Sequence, residues 1–288
     1  MEKQRWGNIP ACPRCGCIEV RKIKDANGAR NKRFLWRCHG CKKQFTVRIG
    51  TVFEDSRIPL RILCFAFWAA CASKKGVSAL QISRECGITY KSALFLMHRI
   101  RYAMAEPNSQ HKLQGTVEID ETYVGGKPRF KGRSKAGHGS KKTPVLGLVE
   151  RQGDVKAQVI PNVTGKTLRR AILQNVGVDA RVMTDDFKSY RSLRRYFPGK
   201  HHYVKHSYGE YVRGDVHTNT AESFFALLKR GVYCTFHAIS KKHLHRYVSE
   251  FEFRWNTRKL DDGARVVSAI KGAEGKRLMY YQLKSESA

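Results

Sequence analysis

Two C-x-x-C pairs near the start, helical periodicity behind them, and a switch to strand alternation beyond residue 113 predict an α/β protein. Its core is expected to follow two small modules rather than to begin the chain. With 288 residues there is length for two or three units. The formal charge of +31 and the pI near 10.1 are spread along the whole sequence, not held in one tail. Such a surplus calls for a polyanionic partner, nucleic acid before an anionic membrane surface. The longest apolar run, "ILCFAFWAACA" from Ile62 to Ala72, has 11 residues, too few to span a bilayer, and reads as a core helix. The opening "MEKQRWGNIPACPRC" has no signal-peptide apolar region, so a cytoplasmic, nucleoid-associated location is expected. Nine cysteines, four of them in C-x-x-C spacing, suit a reducing compartment and a metal better than disulfides.

Residues 1–52 carry "CPRC" (Cys12, Cys15) and "CHGC" (Cys38, Cys41), separated by 22 residues. Each pair offers two thiolates from a tight turn, and two such turns face to face make a tetrahedral sulfur site for structural Zn2+. Cys17 and His39 are stand-in ligands that the symmetric pairs make unnecessary. A short hairpin fits between the pairs, "EVRKIK" against "RFLWRCHGC", turned at Asn27-Gly28. The first fifty residues hold 13 Lys and Arg against three acids, which favours a DNA-facing ribbon over a protein-docking one.

Residues 53–112 read as helices. Ser78 is placed to cap "ALQISREC", Gly87 to end it, and Thr89 to cap a longer helix running to about Ala105. Ala79, Ile82, Ile88, Ala93, Met97 and Ile100 give a buried seam, leaving Tyr90, Lys91, Arg99 and Arg101 for an exposed face. Two helices about a Gly-containing turn form a helix-turn-helix pattern, and Lys91 and Arg99 are its candidate DNA contacts. Helical hairpins without any DNA role share this pattern; the ribbon and the charge favour the DNA reading.

Residues 113–262 alternate differently. "TVEIDETYVGG" is a strand with Val117 and Ile119 on one face and Glu118, Asp120 and Thr122 on the other. "TPVLGLVER" and "DVKAQVIPN" complete an antiparallel meander. A helix capped by Thr164, the strand "ARVMTDD", a helical "FKSYRSLRRYF", the strand "HHYVKHS" and the helix "TNTAESFFALLKRG" follow. That order is the order of a ribonuclease-H-like fold. Residues 263–288 are left as a C-terminal tail. Between the first two strands, "GGKPRFKGRSKAGHGSKK" has seven Lys or Arg and no acid. Its Lys127, Arg129, Lys131 and Arg133 are candidates to track a DNA backbone.

Asp120 sits mid-strand, Asp185 and Asp186 end a strand, and Glu222 comes from a later helix. A carboxylate in mid-strand is costly unless paired or metal-bound. Carboxylates from three separate elements suit two Mg2+ ions about 4 Å apart, a centre for phosphodiester chemistry. Adjacent strand residues point oppositely, so only one of Asp185 and Asp186 reaches such a site. Asn219, Glu222 and Lys229 share one helical face, while Phe224, Phe225, Leu227 and Leu228 cover the other.

"VEIDETYVGG", "TDDFKSY" and "HTNTAESFFALLKRG" resemble bacterial insertion-sequence DDE transposases of the insertion-sequence fifteen-ninety-five superfamily, which join an N-terminal zinc ribbon to an integrase-like core. The resemblance covers roughly Ile9 to Arg258. It implies that Asp120, Asp185 and Glu222 are the acidic triad and that Lys229 contacts the transposon end. Relatives with Asn or His in the third acidic place leave Asn219 as partner or rival of Glu222. The implied activity is cleavage beside terminal inverted repeats of double-stranded DNA to free 3′-hydroxyls, then their joining to target DNA. Mg2+ is the implied catalytic ion, with Mn2+ able to substitute, and a homodimer or larger assembly on DNA is expected, with no membrane partner. A DNA-binding regulator with an inactive core, or a structure-selective nuclease, is the alternative.

Overall fold

The computed structural model describes residues 1–105, 111–125 and 142–285 and divides into two compact units. One comprises Met1–Ala105 with Leu260–Ala288, the other Glu106–Lys259.

The first unit opens with α1 (Glu2–Trp6) and a small antiparallel sheet of β1 (Val20–Lys22), β2 (Trp36–Cys38) and β3 (Gln44–Phe45). The expected hairpin is present, with Val20 opposite Cys38 and Lys22 opposite Trp36. Asp25 shapes its turn, accepting from the amides of Asn27 and Ala29, and Gly28 takes the left-handed φ of 74° that the turn requires. Trp6, Trp36 and Phe45 pack as a small aromatic core beside the cysteines.

Three helices follow: α2 (Leu60–Ala72), α3 (Ala79–Cys86) and α4 (Tyr90–Met104). The caps fall where the sequence places them. Ser78 accepts from Gln81 N, Thr89 accepts from Ser92 N, and Gly87 ends α3 in the left-handed conformation. α2 buries Leu63, Ala66, Phe67, Ala70 and Cys71 as a core helix, and no helix among the described residues is long and apolar enough to cross a membrane.

The second unit is built on β4 (Thr116–Val124), β5 (Thr143–Glu150), β6 (Val155–Val159), α5 (Gly165–Asn175), β7 (Arg181–Thr184), β8 (His201–Tyr203), α6 (Asn219–Gly231) and α7 (Leu244–Asn256). A 3-10 helix, Lys188–Arg195, lies between β7 and β8. The sheet order is β6-β5-β4-β7-β8, antiparallel across β4, β5 and β6 and parallel across β4, β7 and β8. This is the ribonuclease-H-like arrangement, with helices on both faces. Val117, Ile119, Leu146 and Leu148 point to one apolar cluster with α5, whereas Val124, Val145 and Val149 point to another with α6 and α7.

α8 (Asp262–Lys271) and α9 (Tyr280–Ser285) return to the first unit. The stretch set apart as a tail is therefore folded: Ala269 and Ile270 are buried, and α8 packs on α2 and α4. Lys276 donates to the carbonyls of Tyr102, Ala103 and Ala105, capping the C-terminal end of α4. This return also corrects the reading of α4. Arg99 and Arg101 are buried, not exposed, at 7% and 1% accessibility. Arg99 donates to the carbonyls of Leu278 and Glu54 and lies over the Phe95 ring, so it braces the unit instead of standing on an open face. Helical spacing alone put it on an open face because its cover lies 179 residues away.

Gly147 sets how closely α6 meets the sheet. It pairs with Asp120 across β4 and β5, and a Cβ there would come within 2.8 Å of Phe225 Cζ. Gly147→Ala is expected to destabilise by about 1–3 kcal/mol, read from the denaturant midpoint, with part recovered by adding Phe225→Leu. An unchanged midpoint would mean that helix and sheet do not meet this tightly.

Candidate active site

The four ribbon thiols gather as their spacing predicts. The sulfurs of Cys12 and Cys41 are 3.7 Å apart and those of Cys15 and Cys38 3.5 Å, with all four within 4.8 Å of one another. Thiolates bound at about 2.3 Å around a tetrahedral zinc would stand roughly 3.8 Å apart, so the set fits a structural zinc ion. Cys17 and His39 lie outside this set.

The acids converge in the second unit. Asp120 projects from β4 toward the α6 side, Asp185 follows the end of β7, and Glu222 lies in the first turn of α6. Burial, followed by the charges of Glu121, Asp185 and Glu222, pushes Asp120 up to about 7, although the Glu121 amide donates to its Oδ1 at 2.8 Å. Glu121, on the other face of β4, is also raised to about 7, by burial and by Asp185, against the hydrogen bond that it accepts from Tyr190. Tyr190 is fully buried, and the loss of solvent plus these negative neighbours raises its hydroxyl well above the ordinary phenol range. Burial is the first cause in each case, and the negative neighbours add to it. Among the described residues no Lys or Arg pairs with Asp120, and no set of three carboxylates closes to within 4.8 Å as the thiols do. The donors are all hard oxygens, which suits Mg2+ or Mn2+.

The two neighbouring aspartates differ. Asp185 adds to the charge felt by Asp120, Glu121 and Tyr190. Asp186 turns to Ser207, whose hydroxyl donates to it and holds its pKa down. Asn219, Glu222 and Lys229 are all exposed on α6, while Ala221, Phe224, Phe225 and Leu228 are buried. Lys91 is exposed near the start of α4, its ammonium 5.1 Å from the Tyr280 ring centre. Lys127, Arg129, Lys131 and Arg133 lie outside the described residues.

Glu118 is the residue that sequence reasoning passed over. It is completely buried, and its carboxylate accepts from Thr220 N at 2.7 Å, Ala221 N at 3.0 Å, Thr220 Oγ1 at 2.9 Å and Arg151 Nε at 2.6 Å. Two otherwise orphaned amides of the α6 N-terminus are thereby capped from the sheet, and no side chain of the preceding residues does this job. The alternation of β4 carried the signal, since it put Glu118 on the same face as Asp120. Its partners, a hundred residues on, were invisible.

Residues 112–256 match the ISXO2-like transposase domain, and residues 1–44 the transposase zinc-ribbon domain. A protein described as uncharacterized, in transposable element ISH50 of Halobacterium salinarum, is 32% identical over 266 residues, covering 87% of this chain and 86% of its own. Among solved structures, the Mos1 transposase paired-end complex with left transposon end is 12% identical over 77% of this chain and 82% of its own, with a TM-score of 0.27. A pre-cleavage Mos1 transpososome is 14% identical over 78% and 82%, with a TM-score of 0.26. Scores this low carry no argument.

Two expectations follow. Because the folded pKa values of Asp120 and Glu121 stand near 7, above their unfolded values, the metal-free fold keeps protons that the unfolded chain has released. Its stability therefore falls as pH rises from about 4 through about 7, and added Mg2+ restores more above pH 7 than below. Thermal unfolding between about pH 5.5 and 8 should give a flatter profile for Asp120→Asn; identical profiles would refute the crowding. Glu118→Ala should cost about 3–5 kcal/mol in chemical denaturation, because it strands Arg151 and two helix amides. A loss under about 1 kcal/mol would mean that the anchor is unimportant.

Proposed function

The chain belongs to the ISXO2-like transposase family, and from that premise we propose that it binds the terminal inverted repeats of an insertion sequence and cleaves the DNA to free 3′-hydroxyls, which it then joins to target DNA. The observation that carries this reading is the coupling of Asp120, Asp185 and Glu222, from three separate elements, in a chain of net charge +31. These three carboxylates would hold two Mg2+ ions, with Mn2+ able to substitute. Bound there, such ions lower the pKa of an attacking hydroxyl and offset charge on the leaving oxygen. Asp185 would be the ligand rather than Asp186, a reading supported by its charge reaching Asp120 while Asp186 accepts from Ser207.

The chain's own groups do the positioning. Glu118 holds the first turn of α6 against β4 and so sets Glu222 relative to Asp120. Lys229, seven residues beyond Glu222 and exposed on the same helix, is placed to neutralise a phosphate of the transposon end. Lys91 adds a backbone contact from α4, as do Lys127, Arg129, Lys131 and Arg133 from the basic segment after β4. Synapsis of two ends would need a homodimer or larger assembly on double-stranded DNA.

The test is strand cleavage and joining on a duplex carrying the element's own terminal repeat. Cleavage should require Mg2+ or Mn2+, and Asp120→Ala, Asp185→Ala or Glu222→Ala should each lower it by at least about a hundredfold without loss of DNA binding. Cleavage that persists in Asp120→Ala, or that never appears with the correct ends, would favour a DNA-binding regulator.

A further inference from the structure

Beside Asp185 the second unit carries a groove of about 470 Å³ that the acid cluster does not account for. The parallel pairing of β7 with β8 sets Val182 opposite His201 and Thr184 opposite Tyr203, so His201 and Tyr203 share a face of β8 and both line the groove. The 3-10 helix supplies Arg191 and Arg194, which eclipse one another at that spacing, and the segment after β8 supplies Lys205 and Tyr208. None of these three cations forms an ion pair among the described residues. Arg194's guanidinium carbon lies 5.2 Å from the Tyr203 ring centre, and Lys205 Nζ lies 5.9 Å from that of Tyr208. Tyr208 is 85% exposed. His201, 3.0 Å from Thr184 Oγ1, is pushed down to about 4 by burial and by Arg194, so it stays neutral.

Unpaired cations beside an open aromatic ring are a mixed surface. A duplex offers phosphates to the cations but keeps its base faces stacked, leaving the ring idle. A single unpaired nucleotide uses both, and the volume falls in the range of about 300–1,000 Å³ typical of small-ligand sites. We propose that this groove holds one unpaired nucleotide of the DNA strand next to the reaction point, with its phosphate on Arg191 and Arg194 and its base stacked on Tyr208. The guanidinium of Arg194 lies over the Tyr203 ring, which restricts its freedom before a phosphate arrives. Asp185 and Asp186 also line the groove and keep the phosphate toward the arginines. The inference rests on Asp185 belonging to the reaction centre.

The test separates the groove from the chemistry by using metal-free Asp120→Ala protein, whose binding does not depend on cleavage. Affinity is measured by fluorescence anisotropy for a short oligothymidylate and for a duplex of equal length. Tyr208→Ala should weaken the oligothymidylate about tenfold while changing the duplex less than about twofold, and Tyr208→Phe should restore it. Arg194→Gln should weaken both, the single strand more. In a terminal-repeat substrate with 5-iododeoxyuridine at an unpaired position beside the cut, photocrosslinks should map to the peptide containing Tyr208. Equal losses for single strand and duplex, or crosslinks confined to other peptides, overturn the proposal. Metal-dependent cleavage that survives in Asp120→Ala overturns the reaction centre instead.

Discussion

A single buried carboxylate ties the second unit together where it matters most. Glu118 reaches from β4 to the first turn of α6 and satisfies two amides, a hydroxyl and a guanidinium at once. Removing a charge from water is expensive, and only such saturation of its lone pairs makes it tolerable. The consequence is geometric. A helix anchored at its N-terminus by the strand that bears Asp120 has its next acidic residue, Glu222, held beside that strand. Gly147 and Phe225 then set the spacing from the other side.

The acids so assembled oppose the character of the chain. Lys and Arg number 55 against 24 Asp and Glu, yet Glu121, Asp185 and Glu222 add their charge to the burial that raises Asp120, and Asp185 does the same to Glu121. A protein so rich in cations had many ways to neutralise these carboxylates and, at Asp120, uses none among the described residues. Structural acids elsewhere are treated differently: Glu118 has Arg151, Asp215 has Arg181 and Asp179 has Lys200. The contrast is sharpest between Glu118, buried and paired with Arg151, and Asp120, buried with no such partner among the described residues.

Local signals in the sequence depend on near neighbours, and the structure follows them. Ser78, Thr89 and Thr164 cap the helices that they were expected to cap, and the cysteine pairs meet. Arg99 shows where that reasoning ends. Its position on α4 is periodic and its residue type is one that prefers water, but the return of residues 260–285 covers it. No pattern in α4 itself announces a partner arriving from the far end of the chain.

The sequence by itself determined the helix caps, the thiol set and the acidic face of β4, since 3.6-residue and two-residue periods, caps and turn chemistry act over a few positions. Only the tertiary structure decided that Glu118 is an anchor, that Asp186 is met by Ser207, and that Arg99 is interior. Each of those outcomes depends on groups brought together from distant parts of the chain: Thr220 is 102 residues from Glu118, and Ser207 is 21 from Asp186. Burial and charge coupling act through space, and that distance has no expression in the order of the residues.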